Sequence, residues 1–176
     1  MHILFQQKIS LYSYLHENSS TIRPDEKLTL AKNLAVGLCT LHNTHRPPAH
    51  SHLSSRNVML SPSDLELLIS DYGLCSLKKF CKLFIQYNAV NAWSAPEIWT
   101  AENSATEPEM FENTKTDSYS FGMMLWEIET GQVPFEGYDD KSIRTLIVVE
   151  KMRPKIPEKT EKNLANLIRR CWHEKP

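Results

Sequence analysis

The stretch Asp117-Ser118-Tyr119-Ser120-Phe121-Gly122-Met123-Met124-Leu125-Trp126-Glu127-Ile128 most constrains how this chain folds. It begins at a residue suited to cap a helix, and the residues after it are apolar almost all round. A helix without a polar face has to be enclosed by other elements. The chain is therefore expected to wrap further helices around this one, with Phe121 and Trp126 in the core. At 176 residues it is long enough for one domain with a sizeable core.

The surrounding elements can be read from periodicity. Pro24 suits a first helical turn. Leu28, Ala31, Leu34, Ala35, Leu38 and Leu41 then recur at three- and four-residue steps and give one apolar face. Pro47-Pro48 forces an extended segment that delivers His50. Val58-Met59-Leu60 and Leu67-Leu68-Ile69 are short apolar runs separated by Ser61-Pro62-Ser63-Asp64, a hairpin pattern. Leu164, Leu167, Ile168 and Cys171 predict a last helix. Residues 98–116, with Glu102, Glu107, Glu109 and Glu112, read as a solvated acidic insertion. The fold class is mainly α (α+β) with a small β-hairpin.

Bulk properties narrow the function. A net charge of −1 offers no electrostatic grip for nucleic acid. No apolar run approaches a membrane span or a signal peptide. Cys39, Cys75, Cys81 and Cys171 show no C-x-x-C spacing, so neither a zinc site nor a disulfide framework is expected. Free thiols in a reducing compartment fit a cytoplasmic protein.

The chemistry lies in a series of short motifs. His50-Ser51-His52-Leu53-Ser54-Ser55-Arg56-Asn57 has a His and an Asn at the ends of an eight-residue frame. Asp71-Tyr72-Gly73 comes next, then Trp93-Ser94-Ala95-Pro96-Glu97, then the 117–128 stretch. Thr130-Gly131, Pro134-Phe135, Arg153-Pro154-Lys155-Ile156-Pro157 and Cys171-Trp172 complete the order. The series resembles H-R-D-L-x-x-x-N, D-F-G, A-P-E and D-V-Y-S-F-G-x-x-L-W-E-I of protein kinases, and more specifically of the tyrosine-kinase-like group. Ser10-Leu11-Tyr12-Ser13-Tyr14-Leu15 is similar to the G-S-L-x-x-Y-L that opens the helix after a kinase hinge. The tyrosine of Asp71-Tyr72-Gly73 is also found in receptor guanylyl cyclase homology domains, and no subfamily is assigned.

This resemblance implies the C-terminal lobe of the protein kinase fold over residues 1–176, a partial domain beginning at the hinge (Phe5 to Lys8), with the N-lobe absent. It implies ATP and Mg2+ as cofactors, with Met59 on the adenine floor and Asn57 and Asp71 as magnesium ligands when nucleotide is bound. A hydrogen-bonded loop frame without metal is the alternative for Asn57 and Asp71, and it is preferred because the upper lobe's phosphate contacts are missing. It implies structural roles for His50, held by Asp117, and for Glu97, whose kinase partner is an arginine beyond Pro176. His50 and His52 also share a face of an extended segment and make a weaker candidate metal pair.

The sequence departs from the kinase pattern where catalysis needs it most. His52 stands where the catalytic aspartate accepts the substrate's hydroxyl proton, and Ser54 stands where a lysine contacts the transferred phosphate. Ser51 replaces the arginine that anchors a phosphorylated activation segment. The activation segment itself carries Lys78, Lys79, Lys82 and Tyr87 and reads as a solvated basic loop. The expectation is a pseudokinase-type module in signalling: a scaffold or allosteric unit that binds a protein partner and retains at most weak ATP binding. The alternative is a fragment of an active serine/threonine or dual-specificity kinase. With no upper lobe, Phe5, Leu11, Val58 and Met59, with Leu68 and Ile69 just behind, are expected to form an uncovered apolar patch that self-associates or binds a partner, the alternative being that Met1 to Phe5 folds back over it.

Overall fold

The computed structural model describes residues 8–17, 22–44, 49–72, 91–101 and 114–173. Phe5, the basic residues and Tyr87 of the activation segment, Gly73, Cys75, Cys81 and the glutamates of the acidic insertion lie outside the described residues. Six α-helices and one small sheet are described: β1 (Ile9–Ser10), α1 (Leu11–Glu17), α2 (Pro24–Thr44), β2 (Val58–Leu60), β3 (Leu67–Ile69), α3 (Pro96–Ala101), α4 (Thr114–Thr130), α5 (Asp140–Arg144) and α6 (Lys162–Cys171). A 3-10 turn over Ser55–Asn57 leads into β2, and a π-helical turn over Thr145–Val149 continues α5.

Helix α4 is the axis. Met123, Met124 and Leu125 are fully or almost fully buried, and Trp126 is buried with its indole N–H donating to the Lys155 carbonyl at 2.9 Å. Phe121 corrects the expectation from sequence: it is only half-buried and packs on the rim of the core. Gly122 has a packing reason. A Cβ there would meet the Cys171 Cβ at 2.6 Å, so α6 approaches the backbone of α4 where it lacks a side chain.

Helix α2 packs on α4 through Leu30, Leu34, Leu38 and Leu41. Leu28, placed on that face by its spacing, points outward and is exposed, while Leu30 takes the inner position. Both leucines satisfy a three- or four-residue step, and only the packing of α4 decides between them. On α6, Ala165 and Ile168 are buried and Leu167 is exposed, a second shift of the expected stripe.

The expected hairpin is present. Val58 pairs with Ile69, Met59 with Leu68 and Leu60 with Leu67, all antiparallel. The turn is closed by the Ser61 N–H on the Glu66 carbonyl (3.0 Å), and Asn33 of α2 donates to the Leu65 carbonyl at 2.8 Å. A third strand joins it: β1 pairs with β2 through Ile9 and Leu60 and through Ser10 and Met59. Two residues are too short to give a period, so the sequence does not announce this strand. Leu11 and Val58, expected in an uncovered patch, are instead buried. Of the described patch residues, Leu68 stands out at 52 % exposure, with Met59 and Ile69 half-buried. Among the described residues no helix is long and apolar enough to cross a membrane.

Candidate functional site

Residues 49–57 form the centre of the site. Every residue in this loop is buried except Arg56, although most are polar. Buried polar groups need partners, and here two carboxylates of α4 supply many of them.

Asp117 is 0 % exposed. Its Oδ2 accepts the His50 N–H and its Oδ1 the Ser51 N–H, each at 2.7 Å. The His42 Nε2 lies 2.9 Å from the same Oδ2. The helix starts at Thr114, so Asp117 does not cap it, as the sequence suggested, but faces inward from its first turn. Its contact with His50 is through the backbone, while the His50 ring turns the other way, with Nε2 2.7 Å from the Ser70 carbonyl. The paired N–H groups hold Ser51 at φ +71°, a left-handed conformation that a serine seldom adopts.

His52 is 3 % exposed, and its Nδ1 lies 3.0 Å from the His50 carbonyl. A carbonyl can only accept, so Nδ1 carries a proton. The imidazole is then neutral or cationic, never anionic. The loop is closed by Asn57, whose Nδ2 donates to the His52 carbonyl and whose Oδ1 accepts the Ser54 N–H, both at 2.8 Å. Ser54 is buried beside it.

The second carboxylate, Glu127, is also fully buried. Its Oε1 accepts the Ser55 hydroxyl at 2.8 Å and lies 2.9 Å from the His16 Nε2, and its Oε2 accepts the Trp93 indole N–H at 2.7 Å. Trp93 is positioned by a tight turn in which its N–H donates to the Asn91 side chain (3.0 Å) and its carbonyl accepts the Ser120 hydroxyl (2.9 Å). Glu127 thus joins α1, the loop and the entry to α3. Motif reasoning does not single it out, yet a lone Glu inside an apolar run is a signal, since a buried charge must be paired.

The remaining predicted site residues are more loosely held. Met59 sits half-buried in the middle of β2, between Ser10 and Leu68. Asp71 is exposed with φ +63° just after β3. Asn57 and Asp71 bear oxygens suited to Mg2+, but Asn57 already uses both ends of its carboxamide in the loop. Mg2+ completes its shell with substrate phosphates and water, so these two residues would hold it only alongside nucleotide, where it would neutralise phosphate charge. Among the described residues no cluster of three or more His, Cys, Asp or Glu is arranged as a metal site. Glu97 is half-buried on a cavity of about 210 Å3 with Tyr119 and Arg153, and its carboxylate has no hydrogen bond or ion pair among the described residues.

A groove of about 520 Å3 runs past the loop, lined in part by His52, Ser54, Arg56, Tyr12, Trp93 and Tyr138. Arg56, to which the motifs give no role, lies with its guanidinium 4.3 Å from the Tyr12 ring centroid and 5.8 Å from that of Trp93.

A central buried helix thus grips a polar loop beside an open groove, and that loop carries the His50 to Asn57 motif. The family model "Protein tyrosine and serine/threonine kinase" matches residues 3–176. The chain belongs to the protein kinase family, on the tyrosine-kinase-like side that its motifs indicate. It is 30% identical over 167 residues to a probable serine/threonine-protein kinase of Dictyostelium discoideum, covering 95% of this chain and 17% of that protein. It is 31% identical over 170 residues to the serine/threonine-protein kinase CTR1 of Arabidopsis thaliana, covering 95% of this chain and 20% of that protein. With the dual specificity protein kinase shkC of Dictyostelium discoideum it shares 29% over 178 residues, 99% of this chain and 31% of that protein. The chain therefore spans under a third of the length of these relatives.

Proposed function

We propose that this chain is a pseudokinase-type module, a partial kinase domain over residues 1–176 that works by binding a protein partner and does not itself transfer phosphate. The observation that carries this reading is the state of His52. The base position of a kinase lies beside the metal-bound phosphates, where an aspartate adds negative charge and orients the hydroxyl. An imidazole whose Nδ1 proton is committed to the His50 carbonyl brings no negative charge, and in its protonated form it repels the metal. Asn57 serves the loop frame first, so nucleotide binding with Mg2+ would be weak. A cytoplasmic signalling or scaffold role accords with this reading. The partner-facing surfaces are the groove and the outer side of the sheet, where Leu68 would also support weak self-association of an isolated C-lobe.

The test is phosphate incorporation by the purified chain with ATP and Mg2+, into itself and into a generic protein substrate. The expected result is none above background. Magnesium-dependent incorporation that vanishes in His52→Ala would overturn the proposal.

A second reading has one specific observation in its favour. In its neutral form, with the proton on Nδ1, the ring of His52 keeps a lone pair on Nε2, and the residue lines the groove; a neutral imidazole can act as a base. That reading makes the chain a fragment of an active serine/threonine or dual-specificity kinase, as its relatives are named. The same assay with the complete parent protein separates the two.

A further inference from the structure

Tyr138 follows a turn over residues 134–137, beyond the end of α4, and is 57 % exposed. Its backbone N–H closes the turn on the Phe135 carbonyl at 3.2 Å. Gly137 beside it has φ +86°, and a Cβ there would meet nothing within 4 Å, so the turn next to Tyr138 stands open. Glu136, Asp139 and Asp140 flank it, all exposed. Tyr138 also lines the 520 Å3 groove, and on that groove Arg56 is the only lysine or arginine among the described lining residues. The guanidinium of Arg56 rests on two ring faces and makes no hydrogen bond or ion pair among the described residues.

We propose that Tyr138 is a phosphorylation acceptor and that Arg56 receives its phosphate across the groove. A tyrosine kinase acting in trans supplies the step. The phenol oxygen attacks the γ-phosphorus of ATP, an O–P bond forms, the bond from that phosphorus to the β-phosphate oxygen breaks, ADP leaves, and the phenol proton passes to that kinase's base. The product carries about −1.5 to −2 charge on three acceptor oxygens. Glu136 and Asp140 repel it from the rim. Arg56 attracts it from inside the groove, and a guanidinium edge matches phosphate in a two-point contact. The modified side chain then spans the groove and occludes it. The inference does not depend on whether this chain transfers phosphate itself.

The experiment has two stages. The purified chain is treated with a broad-specificity tyrosine kinase and MgATP, and modified residues are mapped by mass spectrometry in the wild type and in Tyr138→Phe. The phosphorylated protein is then exposed to a broad-specificity tyrosine phosphatase, comparing wild type with Arg56→Gln and Arg56→Lys. Circular dichroism melts confirm that these exposed-site variants fold. Tyr138 is expected to be the main acceptor. Loss of its phosphate is expected to be at least about fivefold faster in Arg56→Gln, with Arg56→Lys between the two. Absence of phosphate on Tyr138 would overturn the inference, and so would dephosphorylation rates that agree within about twofold between wild type and Arg56→Gln.

Discussion

The two ends of α4 each bury a carboxylate against the same loop, and they hold it in different ways. Asp117, at the N-terminal end, accepts two backbone N–H groups, those of His50 and Ser51. Glu127, near the C-terminal end, accepts from side chains, the Ser55 hydroxyl and the Trp93 indole. Every residue except proline has a backbone N–H, so a grip on the backbone does not depend on which side chains the loop carries. A grip on side chains does. The backbone grip tolerates changed side chains, and two of the three substituted positions, Ser51 and His52, lie at the end held through the backbone. The contrast also explains why Ser55 and Trp93 act as fixed points, for without them the buried Glu127 would keep only His16 as a partner.

The largest effect should come from the backbone grip. Asp117→Ala leaves two buried N–H groups and His42 without their acceptor. The expected loss is ~3–5 kcal/mol, the scale seen when one partner of a buried charged pair is removed. Asp117→Asn keeps one acceptor oxygen and should fall between this variant and wild type. Urea denaturation followed by circular dichroism measures both. A loss below about 1 kcal/mol in Asp117→Ala, typical of a surface site, would mean that the loop holds its shape without α4.

The side-chain grip should cost less, because its parts can be removed singly. Glu127→Gln keeps the shape but turns one acceptor into a donor facing the Ser55 hydroxyl or the Trp93 indole, and about 1–3 kcal/mol is expected. Ser55→Ala removes one donor and leaves Glu127 with Trp93 and His16, so about 1 kcal/mol is expected. A double-mutant cycle on Glu127→Gln and Ser55→Ala should show coupling, since the groups lie 2.8 Å apart. Strict additivity would mean that the contact contributes nothing and that the contrast between the two ends is wrong.

These two grips also mark the limits of the sequence. The central helix, the start of α2 at Pro24 and the β2–β3 hairpin are legible, because each rests on local periodicity or on a proline. The order of motifs carries the family. The partners of the two carboxylates are not legible, because His16, His42, Ser55 and Trp93 come from separate segments and no local pattern joins them to α4. Leu28 and Leu30 are confused because both fit the helical step, and the two-residue β1 is too short to show a strand period. Arg56 gives no signal because a single cation in a loop is usually solvated. Its place on the rings of Tyr12 and Trp93 exists only once α1 and the entry to α3 are folded around it.

Between the two grips sits a buried polar group that grips nothing, and it gives the smallest effect and the sharpest control. Tyr119 is two residues beyond Asp117 on α4. It is buried, and its hydroxyl has no hydrogen-bond partner among the described residues. Burial, reinforced by the negative charge of Glu97 and opposed by Arg153, pushes its pKa from 10.0 up to about 12. The sign is set by where the proton is held more tightly. The folded state keeps it to higher pH than the unfolded chain, so this group's contribution is fully present below pH 10 and is lost as the pH rises through about 12. The loss by the end of that window is at most ~2–3 kcal/mol. Tyr119→Phe removes an unsatisfied hydroxyl, so at neutral pH its stability should equal or exceed that of wild type by up to ~1 kcal/mol. The variant should also lose less stability than wild type between pH 10 and 12. Denaturation midpoints at pH 7 and across the alkaline range test both parts. A clear destabilisation of Tyr119→Phe at pH 7 would show that the hydroxyl has a partner after all, and Tyr119 would then join Asp117 and Glu127 among the groups by which α4 holds its surroundings.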